Sequence, residues 1–290
     1  YLQLNLPLTD SIGTTSAFRY AAVRNQLRDG GGLPTFPAGQ RIRDDQLAHS
    51  FGMFVNVDAA LRLFARYDHG FRFAKVDEYF GAGGTAAALN LKTQTGNSFE
   101  TGADWNDGEL SVSAQAYRLY LDNELAFDPT TFSNLNLPET RRDGQLLEAR
   151  YQLSDAFSVL ASYTHIEATI KNGAFSGKKV PLAAEHVGRA ALDYSPLGIW
   201  SVLIEMQATD DRVFSGDFDN SLKPLPGYAV LNVVTELRLG GSYASLRLNN
   251  ILDKQYSEFG SSAFNPFPTE APSFFPSPEF NAMLRIGIEY

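Results

Sequence analysis

Polar and apolar residues alternate with a period of two along most of the chain. Over residues 199 to 209, Trp200, Val202 and Ile204 fall on one side, and Ser201 and Glu205 on the other. Side chains of a β-strand point alternately to its two sides, so this pattern predicts strands with one apolar and one polar face. Helical periodicity is hard to find, and the chain is therefore expected to be all-β.

Short and long connections take turns between the predicted strands. A soluble β-sandwich can show the same alternation along its strands, but its Greek-key connections give no reason for loop lengths to segregate. Tight turns on one rim and extended loops on the other are typical of a transmembrane antiparallel up-and-down β-barrel. The thirteen predicted strands span residues 1–8, 14–24, 46–57, 59–72, 96–106, 109–122, 143–153, 156–169, 184–194, 199–210, 227–238, 242–251 and 280–290.

Charge, cysteine content and the lengths of apolar runs exclude several classes of protein. The 290 residues carry a net charge of −9, which argues against a nucleic-acid binder because such a protein needs a basic face. The absence of cysteine excludes disulfide scaffolds, zinc ribbons and thiol catalysis. No apolar run approaches the roughly 18 residues of a membrane-spanning helix, a criterion that β-barrels escape.

Two strings near the end of the chain are the most specific motifs, NNILDKQY at residues 249–256 and LPGYAVLNVV at residues 225–234. They resemble the C-terminal half of a TonB-dependent outer-membrane receptor. Residues 70–80, 91–105 and 140–151 are also similar, although Lys75 stands where the family has a proline and Thr93-Gln94 where it has Pro-Glu.

The end of the chain resembles the signal by which outer-membrane barrels are recognised for insertion. A terminal aromatic follows apolar residues at alternate positions. The residues concerned are Leu284, Ile286, Ile288 and Tyr290. Glu279-Phe280 departs from the Gly-Arg that the family has before this strand.

The resemblance implies a barrel of about 22 strands closed by an N-terminal plug. Bacterial single-chain barrels have even strand numbers, and this chain opens at Tyr1 inside a strand without a signal peptide. Residues 1–290 are therefore expected to be the C-terminal portion of one barrel domain, with the plug and the segment that contacts a TonB-type energy-coupling protein lying upstream.

The implied function is active uptake of a scarce ligand, most simply a ferric siderophore or a similar metal chelate, across the bacterial outer membrane. Such a transporter makes no covalent change in its ligand and carries no cofactor. Its further partners would be outer-membrane lipid and the barrel-assembly machinery. Nucleic acid is not among the expected partners.

Two of the motifs have structural interpretations. Asp253 follows an Asn-rich strand end, where short polar side chains can bond to backbone that the ladder leaves unpaired. Pro226-Gly227 is expected to set a turn, because proline fixes φ and glycine adopts conformations that other residues avoid.

Charged residues on the polar side of successive strands are candidates for lining the lumen or contacting a plug. The alternative is that a wide barrel simply needs a hydrated interior. These candidates are Arg62, Arg66, Glu205, Glu236, Arg238, Arg247 and Arg285.

Aromatic residues of the long loops, which are extracellular in the family, are candidates for ligand binding. Clusters of exposed aromatics often mark recognition surfaces, although aromatics also form girdles at both membrane interfaces. The candidates are Tyr79, Phe80, Phe214, Phe218, Tyr256, Phe259, Phe264, Phe267, Phe274 and Phe275.

Signals for metal binding or catalysis are weak. Asp210, Asp211, Asp217 and Asp219 lack the order of a calcium loop, and the four histidines show no ligand spacing, so no metal site is predicted.

Two classes of alternative remain. One is a self-contained passive porin or autotransporter translocator. The other is an outer-membrane hydrolase using His165 with Ser158 or Ser162.

Overall fold

Thirteen strands form one continuous antiparallel sheet. The computed structural model describes residues 1–27, 40–80, 90–262 and 272–288. Consecutive strands pair, except where two small hairpins in the loops are bypassed. The sheet contains β1 Leu2–Pro7, β2 Ile12–Leu27, β3 Gln40–Asn56, β4 Leu61–Arg72, β5 Gln94–Asn106, β6 Leu110–Asp122, β9 Thr140–Ser154, β10 Phe157–Ile170, β11 His186–Tyr194, β12 Trp200–Thr209, β13 Tyr228–Leu239, β14 Ser242–Asn249 and β17 Asn281–Ile288.

All thirteen predicted strands are confirmed, and the main difference lies at one pair of ends. β2 continues to Leu27, whereas the pattern predicted its end at residue 24. β3 begins at Gln40, whereas the pattern predicted its start at residue 46. Arg24 pairs with Arg43, and Gln26 with Arg41, in this extension. Neither side of it is apolar, and backbone pairing needs no apolar side chain, so alternation could not reveal it.

The long loops contain structure that the alternation did not predict. β7 Glu124–Asp128 pairs with β8 Ser133–Leu137, and β15 Ser257–Ser261 pairs with β16 Ser273–Pro276. A 3-10 turn spans Val76–Tyr79. Within the described ranges, no helix is long and apolar enough to cross a membrane.

The pairing register assigns every sheet residue to one of two faces, because directly paired residues of an antiparallel sheet point to the same side. The apolar face carries exposed side chains such as Leu63, Ile204 and Leu284. The opposite side, called here the charged face, carries Arg66, which pairs with Gly52 and with Glu100.

The structure also resolves the faces of β10, which alternation left undecided. Val159 and Tyr163 lie on the apolar face, paired with Leu192 and Gly188 of β11. Ser162 lies on the charged face, where it pairs with Glu148 of β9.

Aromatic rings on the charged face lie against glycines of adjacent strands. A Cβ atom on Gly144 would lie 2.2 Å from the ring of Tyr117, its direct partner in β6. The glycine therefore makes room for a ring that would otherwise project from the sheet. The other pairs of this kind are Gly13 with Phe54, Gly102 with Phe64, and Gly287 with Tyr243.

In two of the short turns, an aspartate side chain accepts hydrogen bonds from the backbone N–H groups two and three residues later. The Asp58 carboxylate accepts hydrogen bonds from the backbone of Ala60 and Leu61, both at 2.8 Å. Asp107 accepts from the backbone of Glu109 and Leu110 at 3.0 and 2.8 Å. These backbone donors lower the pKa of both carboxyls, because they stabilise the charged form.

The NNILDKQY string forms a compact hydrogen-bonded stop at the end of β14. Asn250 and Asp253 both have positive φ, 49° and 51°, which their short polar side chains tolerate. The Asn250 side chain accepts from the backbone N–H of Lys254 and donates to its carbonyl, each at 2.9 Å. Asp253 accepts from the backbone N–H of Phe280 at 2.9 Å, and the predicted structural role of this motif is confirmed.

Replacing Asn250 by alanine is expected to lower the free energy of unfolding by about 2 kcal/mol, since it removes these bonds and leaves a non-glycine residue at positive φ. Urea unfolding of the full protein in lipid vesicles measures the change. Asn249→Ala, which removes one hydrogen bond of 2.8 Å to the Asn281 side chain and leaves the bonds of Asn250 in place, is the control. A shift no larger than that of Asn249→Ala would contradict the role.

Most buried apolar side chains of the described residues lie near the long-loop rim and not within the sheet. Phe214 and Leu225 are each 1% exposed, and Ile170 is fully buried. The packed core of this chain therefore supports its loops.

Candidate ligand-binding loops

The long loops are joined to one another by backbone and amide hydrogen bonds. Asn136 donates to the carbonyl of Lys92 at 3.0 Å and accepts from the backbone N–H of the same residue at 2.8 Å. Asn134 donates to the carbonyl of Glu78 at 3.0 Å. These bonds tie the β7–β8 hairpin to the loop between β4 and β5.

The next two loops continue this layer. The backbone N–H of Lys171 donates to the carbonyl of Glu139 at 2.7 Å. Asn220 exchanges two hydrogen bonds with the backbone of Lys179, at 2.7 and 3.1 Å. The loop of residues 171–185 is thereby fixed between its two neighbours.

The last loop joins the layer through Ser215. Ser215 donates to the carbonyl of Gly260 and accepts from the backbone of Ser262, both at 2.9 Å. The Phe214 ring packs edge-on against Phe274, with 5.3 Å between centroids. The described loop segments thus form one connected assembly beside the rim of the sheet.

The predicted ligand-binding aromatics separate into two groups. Tyr79, Phe214 and Phe218 are 4%, 1% and 8% exposed, so they support the loop assembly from within. Phe259, Phe274 and Phe275 are 40%, 52% and 43% exposed. Phe80 and Tyr256 are partly buried, while Phe264 and Phe267 lie outside the described residues.

A cleft of about 450 Å³ lies between the last loop and the start of β13. Tyr256 and Phe274 form aromatic parts of its wall, and Lys254 and Glu279 add opposite charges. Tyr256 packs on Tyr228 at 4.3 Å between ring centroids. A cleft with aromatic walls and a few charged groups suits a compact ligand that has both apolar and charged parts.

The phenol of Tyr256 stays protonated at neutral pH. Burial raises its pKa above the ordinary value, and the nearby Glu258 carboxylate raises it further. The hydroxyl therefore remains a hydrogen-bond donor.

Ion pairs occupy parts of the charged face. Arg66 contacts Asp68 at 2.6 Å and Glu100 at 3.2 Å, and Arg238 contacts Glu236 at 2.6 Å. Arg189 is paired with Glu205. Arg62 lies 4.0 Å from the centroid of the Phe54 ring.

All seven lumen candidates share this face. Arg247 pairs directly with Val234 of β13, and Arg285 with Ser245 of β14. Their contact with a plug stays a prediction.

The residues of the proposed insertion signal lie on the opposite side. Leu284, Ile286 and Ile288 are 66%, 73% and 62% exposed on the apolar face of β17. Tyr290 lies outside the described residues.

The histidines form two cross-strand pairs that spacing in the sequence did not suggest. His49 pairs with His69, and His165 with His186, with ring centroids 5.2 and 4.8 Å apart. The members of each pair are far apart in sequence. Only the pairing register of the strands reveals these histidine pairs, and alternation along a single strand does not provide it.

The hydrolase alternative meets a geometric obstacle. His165 lies on the apolar face of β10, whereas Ser158 and Ser162 lie on the charged face. Their side chains point to opposite sides of the sheet, so a serine–histidine pair does not form there.

A thirteen-stranded antiparallel sheet with one apolar face, one charged face and an assembly of long loops at one end is typical of outer-membrane β-barrel proteins. The model of the TonB-dependent receptor-like β-barrel family matches residues 1–251. The chain belongs to the TonB-dependent receptors, which are proteins of the bacterial outer membrane.

Individual relatives agree with this membership. The catecholate siderophore receptor Fiu of Escherichia coli K12 is 29% identical over 134 residues, covering 45% of this chain and 16% of that protein. A probable TonB-dependent siderophore receptor of Acinetobacter baumannii, PiuA, is 24% identical over 232 residues, covering 72% of this chain and 30% of that protein.

The solved structure of the copper transporter OprC has the same fold. It superposes with a TM-score of 0.79 at 17% identity, covering 99% of this chain and 47% of that one. The chain thus spans less than half the length of these relatives.

Proposed function

We propose that this chain is the C-terminal portion of the barrel of an active transporter that takes up a ferric siderophore or a similar metal chelate. Residues 1–290 would form part of one barrel domain of about 22 strands. Family membership supports the proposal, and so do the relatives, which are receptors and transporters and not enzymes.

The observation that carries the ligand class is the cleft beside the last loop. Ferric siderophore complexes combine planar ligand groups with net charge, and Tyr256, Phe274 and Lys254 offer matching surfaces. The charged face would line the path below it. A plug and a coupling segment outside this chain would connect the receptor to a TonB-type protein, and outer-membrane lipid and the barrel-assembly machinery would be its other partners.

Transport is tested in cells that express the full protein as their only receptor of this kind. Radioiron-labelled chelates of a catecholate, ferrioxamine B and ferrichrome are supplied in turn, with and without an uncoupler of the proton gradient. We expect uptake of at least one chelate that the uncoupler abolishes. Uptake that survives the uncoupler would favour a passive pore, which is the second candidate.

Replacing Phe274 by alanine is expected to weaken binding of the transported chelate by about two- to tenfold, because an aromatic contact contributes about 0.5–1.5 kcal/mol. Phe275→Ala is the matched variant, since Phe275 packs on Phe259, with 5.0 Å between ring centroids, and does not line the cleft. Binding to whole cells measures both. Equal losses in the two variants would place the ligand outside the cleft.

A further inference from the structure

We propose that His165, His186 and Glu185 form a binding site for a divalent first-row transition metal ion, with Zn²⁺ as the reference ion. One ligand atom from each of the three lies within 4.8 Å of the others. Among the described residues this is the one group of at least three metal-ligating side chains that meets this spacing. Two imidazoles and a carboxylate are a donor set that Zn²⁺ accepts.

The backbone holds the two imidazoles together. His165 and His186 are direct partners of β10 and β11, and their rings are stacked with 22° between planes. The backbone N–H of Ile166 donates to the carbonyl of Glu185 at 2.9 Å, which fixes the third residue beside the pair. The spacing is therefore set by the sheet and not by loose loop side chains.

Hydrogen bonding leaves both rings able to bind a metal. The Tyr163 hydroxyl lies 2.7 Å from His186 Nδ1, which orients that ring as an outer-shell partner of a metal ligand does and leaves Nε2 for the ion. His165 Nδ1 is buried and has no hydrogen-bond partner among the described residues. An ion at this pair would satisfy a nitrogen that is otherwise unsatisfied.

Metal binding at this site requires the three side chains to move closer together and Glu185 to leave its ion pair with Lys179. Tetrahedral Zn²⁺ places its donors roughly 3.3 Å apart, so the three ligands must close by about 1.5 Å, which side-chain rotation can supply. Glu185 also accepts a hydrogen bond from Lys179 Nζ at 2.8 Å. The ion must therefore compete with the Lys179 ammonium for this carboxylate.

The position suggests a structural ion. Ile170 ends β10, and Glu185 ends the loop of residues 171–185. A metal bound to His165, His186 and Glu185 would clamp the base of this loop, in which Lys179 and Leu182 bond to the neighbouring loop. This inference is independent of the ligand proposed for transport.

The test uses the full protein without a histidine tag, stripped with EDTA and titrated with zinc sulfate by calorimetry. We expect the double variant His165→Ala/His186→Ala to lose one equivalent of Zn²⁺ relative to the wild type. The matched control is His49→Ala/His69→Ala, which removes the other stacked cross-strand pair and is expected to lose none. Calcium chloride is expected to give no signal from this site, since Ca²⁺ takes oxygen ligands.

Three further variants distinguish a metal site from ring stacking alone. Tyr163→Phe is expected to weaken Zn²⁺ binding about tenfold. Lys179→Met is expected to tighten it about threefold, because the competing ion pair is lost. His186→Gln preserves a polar group beside Tyr163 and is expected to fold and still lose the equivalent.

An unchanged Zn²⁺ stoichiometry in folded His186→Gln would overturn the proposal. So would an equal loss in the His49→Ala/His69→Ala control.

Discussion

Replacing Ile204 by arginine is expected to lower the free energy of unfolding by about 2–4 kcal/mol, which is the cost of a cation on the lipid side near the membrane midplane. Ile204 lies at the middle of β12 on the apolar face and is 40% exposed. Its neighbours across the sheet, Leu192 and Val233, are also aliphatic. Neither of these direct partners has a side-chain acceptor that could compensate the charge.

Leu203→Arg is the matched control for Ile204→Arg. Leu203 is the adjacent aliphatic residue of β12, but it lies on the charged face beside Asp193, its direct partner in β11. We expect a much smaller change there, because water and Asp193 can solvate the new guanidinium. Urea unfolding in lipid vesicles of matched thickness compares the two. Equal destabilisation would mean that the two faces have been assigned wrongly.

Replacing Gly227 by valine is expected to cost about 3 kcal/mol, because the added side chain meets backbone that has no freedom to move. A Cβ atom at Gly227 would lie 2.6 Å from the carbonyl oxygen of Thr209 and 2.9 Å from the carbonyl carbon of Asp210. Relief would require the end of β12 to separate from the start of β13. These strands support one wall of the cleft beside the last loop.

Gly188→Val is the control for Gly227→Val. Gly188 lies in β11, and a Cβ atom there would have no atom within 4 Å among its surroundings. We expect Gly188→Val to be tolerated, and the difference between the two variants should appear in the urea midpoint and in chelate binding. A stable Gly227→Val protein with wild-type binding would contradict this close-contact role.

The predicted reason for glycine in the Pro226-Gly227 motif is wrong. The sequence suggested a turn that needs glycine for its backbone conformation, but Gly227 has no positive φ. The structure requires glycine there because two strand ends approach too closely for a side chain. A close approach between distant segments leaves no mark in local sequence, whereas the positive φ of Asn250 and Asp253 is matched by the residue types themselves.

The charged face was predictable one strand at a time, but its contacts were not. Alternation placed Arg66 and Glu205 on the polar side of their strands. Only the register showed that Arg66 meets Glu100, and that Arg189 meets Glu205. Register depends on pairing over the whole sheet, and alternation alone leaves it open to shifts by two residues.

The loops were the part least accessible to sequence reasoning. The sequence predicts a ligand-binding role for their aromatics as one group, whereas tertiary packing divides them into buried supports such as Phe214 and exposed residues such as Phe274. Phe214 and Phe274 are the same residue type, and each lies in a long loop, so the local sequence does not distinguish them. Burial depends on contacts between loops that are distant along the chain, such as the bond of Ser215 to Gly260.

The sequence by itself determined the thirteen strands of the main sheet, the order of short turns and long loops, and, for every strand of that sheet except β10, which side is apolar. These follow from a period of two and from local turn chemistry, which act within a few residues. The tertiary structure alone decided the register, the joining of the loops, the cleft at Tyr256 and the meeting of His165 with His186. Each of these depends on cross-strand or interloop contacts, whose positions no local pattern specifies.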